Sequence, residues 1–89
     1  MNQKEFAREY SREVLMHAES HGQRTGQYLF NGLPDEARFA VRGRLFDPFH
    51  KQMSQYSIED WLMEHVIFNN SGAIVAIFDD NNILWERIP

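Results

Sequence analysis

The sequence contains no cysteine, which removes disulfides and thiolate zinc sites from the means by which a small chain can be stabilised, and gives no reason to place it in an oxidising compartment. Long apolar runs are missing too. The longest extends from Ala73 to Phe78, far short of the roughly 20 residues that span a bilayer. The opening residues Met1-Asn2-Gln3-Lys4-Glu5 are polar, so no signal peptide and no membrane association are expected, and the cytoplasm is the default location. No phosphate-binding loop, dinucleotide fingerprint or nucleophile elbow occurs, and an enzymatic role and a cofactor are therefore not expected. Internal repeats, linkers and low-complexity segments are also lacking.

What is present is enough apolar material for one small domain spanning 1–89. Hydrophobic residues make up 43% of the 89 residues, with seven Phe, three Tyr and two Trp among them, so collapse rather than disorder is the default. A domain of this size buries only about 60–65% of the surface of its unfolded chain, which leaves thin stability margins and little room for an enclosed cavity.

The net charge of −4 is unevenly distributed. Residues 1–44 carry seven basic side chains against six acidic ones, whereas residues 45–89 carry only Lys51 and Arg87 against seven carboxylates. The whole deficit thus lies in the second half. A balance of this sign argues against a general nucleic-acid binder, whose affinity comes from neutralising phosphates.

Periodicity divides the chain in the same way. Phe6, Ala7, Tyr10, Val14, Leu15 and Ala18 recur at spacings of three and four and predict a helix over about 3–21, stopped by Gly22. A second helix over 23–31 ends at Gly32, and a third over 34–42 opens on Pro34-Asp35-Glu36, with Pro at its first position and acids in its first turn. Asp47-Pro48 predicts a brief turn, and Ser57 followed by acids predicts a fourth helix over 58–64. From Val66 the grammar becomes β-like: runs at 66–68, 73–78 and 83–88 are separated by Asn69-Asn70-Ser71-Gly72 and Asp79-Asp80-Asn81-Asn82. The fold class expected is α+β, helices packed on a three-stranded antiparallel meander whose middle strand, apolar on both alternations, is central.

Three constellations could carry function. His17 and His21 have the spacing at which two imidazoles share a metal, but no third ligand is specified, and two histidines near a helix C-terminus explain the pair without one. The 23–31 and 34–42 helices could form a helix-turn-helix carrying Arg38, Arg42 and Arg44, although Asp35 and Glu36 would then face the phosphates. Finally, Asp47, Glu59, Asp60, Glu64, Asp79 and Asp80 could form an acidic surface that competes for a basic groove on a partner protein.

Arg24, Gly26, Gln27, Leu29, Phe30, Asn31 and Leu33, followed by Gly43 and by Asp47-Pro48-Phe49, form a pattern that resembles one found in small phage and prophage proteins. The resemblance covers residues 24–49 and implies a setting, not a chemistry. Phe30, Leu33 and Phe49 read as core, and Gly26 as a point of close approach. Arg24, Gln27 and Asn31 are left without a packing role and are candidates for a polar contact. The expected function is accordingly a non-enzymatic interaction protein from a phage or mobile element that binds and blocks a host protein in the host cytoplasm, an anti-CRISPR-like inhibitor being one such case. The alternatives are a small DNA-binding regulator using Arg38, Arg42 and Arg44, and a homodimeric assembly protein joined through exposed aromatics or an open sheet edge.

Overall fold

The computed structural model describes residues 1–87. Four helices, α1 (Gln3–Ser20), α2 (Thr25–Asn31), α3 (Asp35–Val41) and α4 (Gln55–His65), precede three strands, β1 (Val66–Phe68), β2 (Ile74–Asp79) and β3 (Asn82–Glu86). The strands form one antiparallel sheet in the order β1-β2-β3, so the doubly apolar run is the central strand as expected. The last residue of the expected 83–88 strand, Ile88, lies outside the described residues.

Helix α1 begins with a capping box: the Asn2 side chain accepts from the Glu5 N–H at 2.9 Å, and Glu5 accepts from the Asn2 N–H at 3.2 Å. Its buried stripe is Ala7, Ser11, Val14 and Ala18, with Phe6, Tyr10 and Leu15 half-buried at its margins. Ser11 is accommodated because its hydroxyl donates to the Arg8 carbonyl. The helix ends where Gly22 turns to a φ of +66°, and the Gln23 N–H closes back on the Ala18 carbonyl at 3.0 Å.

Several bounds differ from expectation: α2 starts at Thr25 rather than 23, β2 is Ile74–Asp79 rather than 73–78, and β3 is Asn82–Glu86 rather than 83–88. Pro34 occupies the N-cap of α3 rather than its first turn. Helix α4 starts at Gln55, three residues ahead of the expected 58, because Ser54 and not Ser57 is its cap: the Ser54 hydroxyl accepts from the Ser57 N–H at 3.1 Å.

Helices α1 and α4 pack together and meet the sheet, α4 on β1 and β2, while α3 covers β3. Cross-strand partners share a face, so Val66, Ile77 and Trp85 form one row toward the helices, and Ile67, Ala76 and Glu86 form a row on the opposite face. A bulge in β3 opposite Ile77/Phe78 lets the consecutive residues Leu84 and Trp85 both pack on the core. The outer edge of β1 is covered from a distance of 65 residues: the Gln3 side-chain amide donates to the Phe68 carbonyl and accepts from the Phe68 N–H, both at 2.8 Å.

Candidate partner-binding site

The segment that connects α3 to α4, residues 42–54, has neither helix nor strand. Irregular connections of this length are uncommon in small domains and are usually functional or disordered. This one is tightly held. The two oxygens of Asp47 accept from the Gly43 N–H at 2.8 Å and the Phe49 N–H at 3.0 Å, and the Lys51 N–H donates to the Pro48 carbonyl at 2.9 Å, which is the brief turn expected at Asp47-Pro48. On one flank α2 clamps the loop: the Gly26 N–H donates to the Lys51 carbonyl at 3.0 Å, and the buried Thr25 hydroxyl donates to the Met53 carbonyl at 2.7 Å and accepts from the Met53 N–H at 2.6 Å. A Cβ on Gly26 would lie 2.0 Å from the Pro48 oxygen, so only glycine permits this approach. On the other flank the Trp61 indole of α4 donates to the Phe46 carbonyl at 2.7 Å.

From this fixed loop one residue points wholly into water. Leu45 is 102% exposed, and Phe39, within the preceding helix α3, is 76% exposed. An apolar side chain held rigidly in solvent by a pinned backbone is a feature of binding surfaces.

A groove of about 760 Å³ runs past Leu45, bounded by Gly43, Arg44, Phe46 and Lys51 on the loop and by α4 and the β2–β3 turn opposite. Its far wall carries Glu64, Asp79 and Asp80, and its near wall carries Arg44 and Lys51. At its base the His65 ring stacks on Phe46 with centroids 4.1 Å apart; Nδ1 lies 2.9 Å from the Phe78 carbonyl and Nε2 lies 3.8 Å from a Glu64 oxygen. Asp80 takes a positive φ of 52°, a conformation that Asp tolerates better than most residues, and this turns the chain between β2 and β3.

The structure thus brings Glu64, Asp79 and Asp80 together. Asp60, one helical turn before Glu64, is exposed on the same side of α4, whereas Glu59 is half-buried on another line of that helix. Asp47 is engaged by the loop backbone. Arg24, Gln27 and Asn31 share one face of α2 by their spacing, but none of them lines this groove. His17 and His21 turn toward Tyr28, with ring centroids 6.1 and 5.6 Å from it. Tyr10 lies near them between α1 and α2, where burial pushes its hydroxyl up to about 12, with Tyr28 and Glu13 contributing in the same direction.

No protein-family model, curated protein or solved structure matches the chain.

Of the three arginines in the helix-turn-helix alternative, two are occupied by the fold. Arg38 donates to the Asn31 and Leu33 carbonyls at 3.0 and 3.1 Å and pairs with Asp35, and Arg44 donates to the Ala40 carbonyl at 2.6 Å. Both close the end of a short helix. The sequence reasoning missed Leu45, Phe39, Arg44 as a wall of the groove, and Lys51. A signal for Phe39 was available: the buried residues of α3 are Ala37 and Val41, four apart, and Phe39 falls between them on the far side.

Proposed function

We propose that the protein is a non-enzymatic binding module that docks on a partner protein through Leu45 and the acidic wall of the adjoining groove, and that in a phage or mobile-element setting this docking blocks a host protein, as an anti-CRISPR-like inhibitor would. The observation that carries the reading is Leu45, completely exposed on a backbone anchored from both sides. The groove beside it supplies charges of both signs, which suits selection of one orientation of a partner more than raw affinity. The phage setting is supported by the resemblance over residues 24–49. A DNA-binding role has less support, because Arg38 and Arg44 are held by backbone carbonyls.

The test is affinity capture from lysates of candidate bacterial hosts, with the wild type, Leu45→Asp and Asp79→Lys/Asp80→Lys as parallel baits. A protein captured by the wild type and lost with both variants, while their thermal melts match the wild type, supports the reading. Capture that ignores both substitutions, or no capture at low salt from any such lysate, counts against it.

A further inference from the structure

On the opposite side of the loop lies a second, smaller pocket of about 280 Å³, lined by Phe30, Arg42, Asp47, Phe49 and His50. Pockets for drug-sized ligands occupy about 300–1,000 Å³, so this one has the dimensions of a single large side chain. Its floor is aromatic: Phe30 is buried, and Phe49 meets it edge-on with centroids 5.4 Å apart.

The lining carries one cation, Arg42, and one carboxylate, Asp47, and of the two the cation is uncommitted. The Arg42 guanidinium sits over two rings, 6.0 Å from the Phe30 centroid and 5.5 Å from that of Phe39, and joins no ion pair among the described residues. The other ionised group of the pocket, Asp47, already has an N–H on each carboxylate oxygen. His50 stands exposed at the rim, its ring edge-on to Phe49 with centroids 4.9 Å apart. Arg38 uses both terminal nitrogens within the fold and Arg44 uses its Nε–H, so of the three Arg42 is the one whose guanidinium donors are all uncommitted among the described residues. An occupant that satisfies both the floor and the mouth must carry an apolar group and a carboxylate within the length of one residue. An internal Asp or Glu offers the anion without the apolar bulk. A C-terminal Leu or Phe offers both from the same Cα.

We infer that this pocket captures the C-terminal residue of a partner protein, with an apolar side chain against Phe30 and Phe49 and the terminal carboxylate received by the Arg42 fork. The inference rests on the reading of the protein as a partner-binding module and names the chemistry of one contact.

The probes are N-acetyl-leucine and N-acetyl-phenylalanine, compared with their carboxamides, and the readout is the amide spectrum of the ¹⁵N-labelled protein. The expected result is saturable movement of the Phe30, Arg42, Phe49 and His50 signals, with the acids binding at least about tenfold more tightly than the amides, the scale of a charge-assisted contact. Arg42→Gln is expected to erase that preference, and Arg42→Lys to keep only part of it, because it retains charge without the fork. Arg42 is exposed, so a well-dispersed spectrum of each variant will establish that it folds. Equal binding of acids and amides, movement confined to other residues, or no saturable movement up to the solubility limit would overturn the inference. Leu45→Asp separates the two proposals: it should abolish capture of a partner yet leave binding of N-acetyl-phenylalanine intact, and loss of probe binding in Arg42→Gln with capture retained would show that docking does not depend on this pocket.

Discussion

Thr25 is a hydroxyl in the core that stands in for a backbone partner, since it both donates to and accepts from Met53. Thr25→Val keeps the shape and orphans the buried Met53 N–H and carbonyl, at an expected cost of about 2–3 kcal/mol. In a domain of this size that is on the order of 10–15 °C in melting temperature. Thr25→Ser should recover most of the loss, and thermal melts of the three proteins check both statements. Tyr10 gives a pH dependence of known sign. Burial raises its ionisation to about 12 in the folded state against 10.0 for an unperturbed tyrosine. The unfolded chain therefore releases this proton first, and stability should fall as pH rises from about 10 toward 12, by on the order of 2 kcal/mol in all. Urea titrations between pH 8 and pH 11.5 should show the decline in the wild type and a shallower one in Tyr10→Phe. Gly26 shows how far residue identity could be read: the glycine pointed to a close approach, and the Pro48 and Lys51 oxygens are what approaches. That a loop more than twenty positions away comes so near depends on tertiary packing, which no local pattern encodes.

Among the elements, those with a strong local signal were legible. The stripe and the glycine stop of α1, the paired short helices and the turn compositions between the strands all lie within a few residues of what they determine. The start of α4 was not legible, because Ser54 and Ser57 are both good caps and the choice depends on where the 42–54 loop delivers the chain. The structure makes a discriminating prediction here. Ser54→Ala should cost about 1 kcal/mol, whereas Ser57→Ala, inside the first turn, keeps the capped N–H and loses only an exposed hydroxyl that accepts from the Ser54 hydroxyl at 3.1 Å, and should cost a few tenths. Chemical denaturation of the two variants measures the difference. The sheet edges were legible only in part. Short β1 and the bulge in β3 limit edge pairing, and the Gln3 amide on Phe68 closes β1 further, so a homodimer formed through the β1 edge would have to displace it.

At the scale of the molecule, the charge asymmetry acquires a location. Glu64, Asp79 and Asp80 meet in one groove, whereas Asp47 is committed to the loop and Glu59 lies on another line of α4. Composition showed which half holds the excess but not which carboxylates meet, since Glu64 and the Asp79–Asp80 turn come together only when β2 folds back along β1. If the acidic wall steers a partner, Asp79→Lys/Asp80→Lys should lower the association rate by on the order of tenfold at low salt and leave dissociation little changed. The association rate of the wild type should also lose more than that of the variant as salt is added. Surface plasmon resonance against the captured partner, at several ionic strengths, reads both quantities. An association rate unchanged by the reversal would assign docking to Leu45 and the other apolar contacts.

The Gln3 amide has a consequence for the order in which the sheet is built. During synthesis residue 68 emerges from the ribosome ahead of β2 and β3, at a time when α1 is already complete. If Gln3 engages Phe68 at that stage, it occupies one side of a strand that would otherwise be open on both. The incoming β2 then has a single side left to join. A glutamine far upstream would in this way assign the edge of β1 on which the second strand is laid.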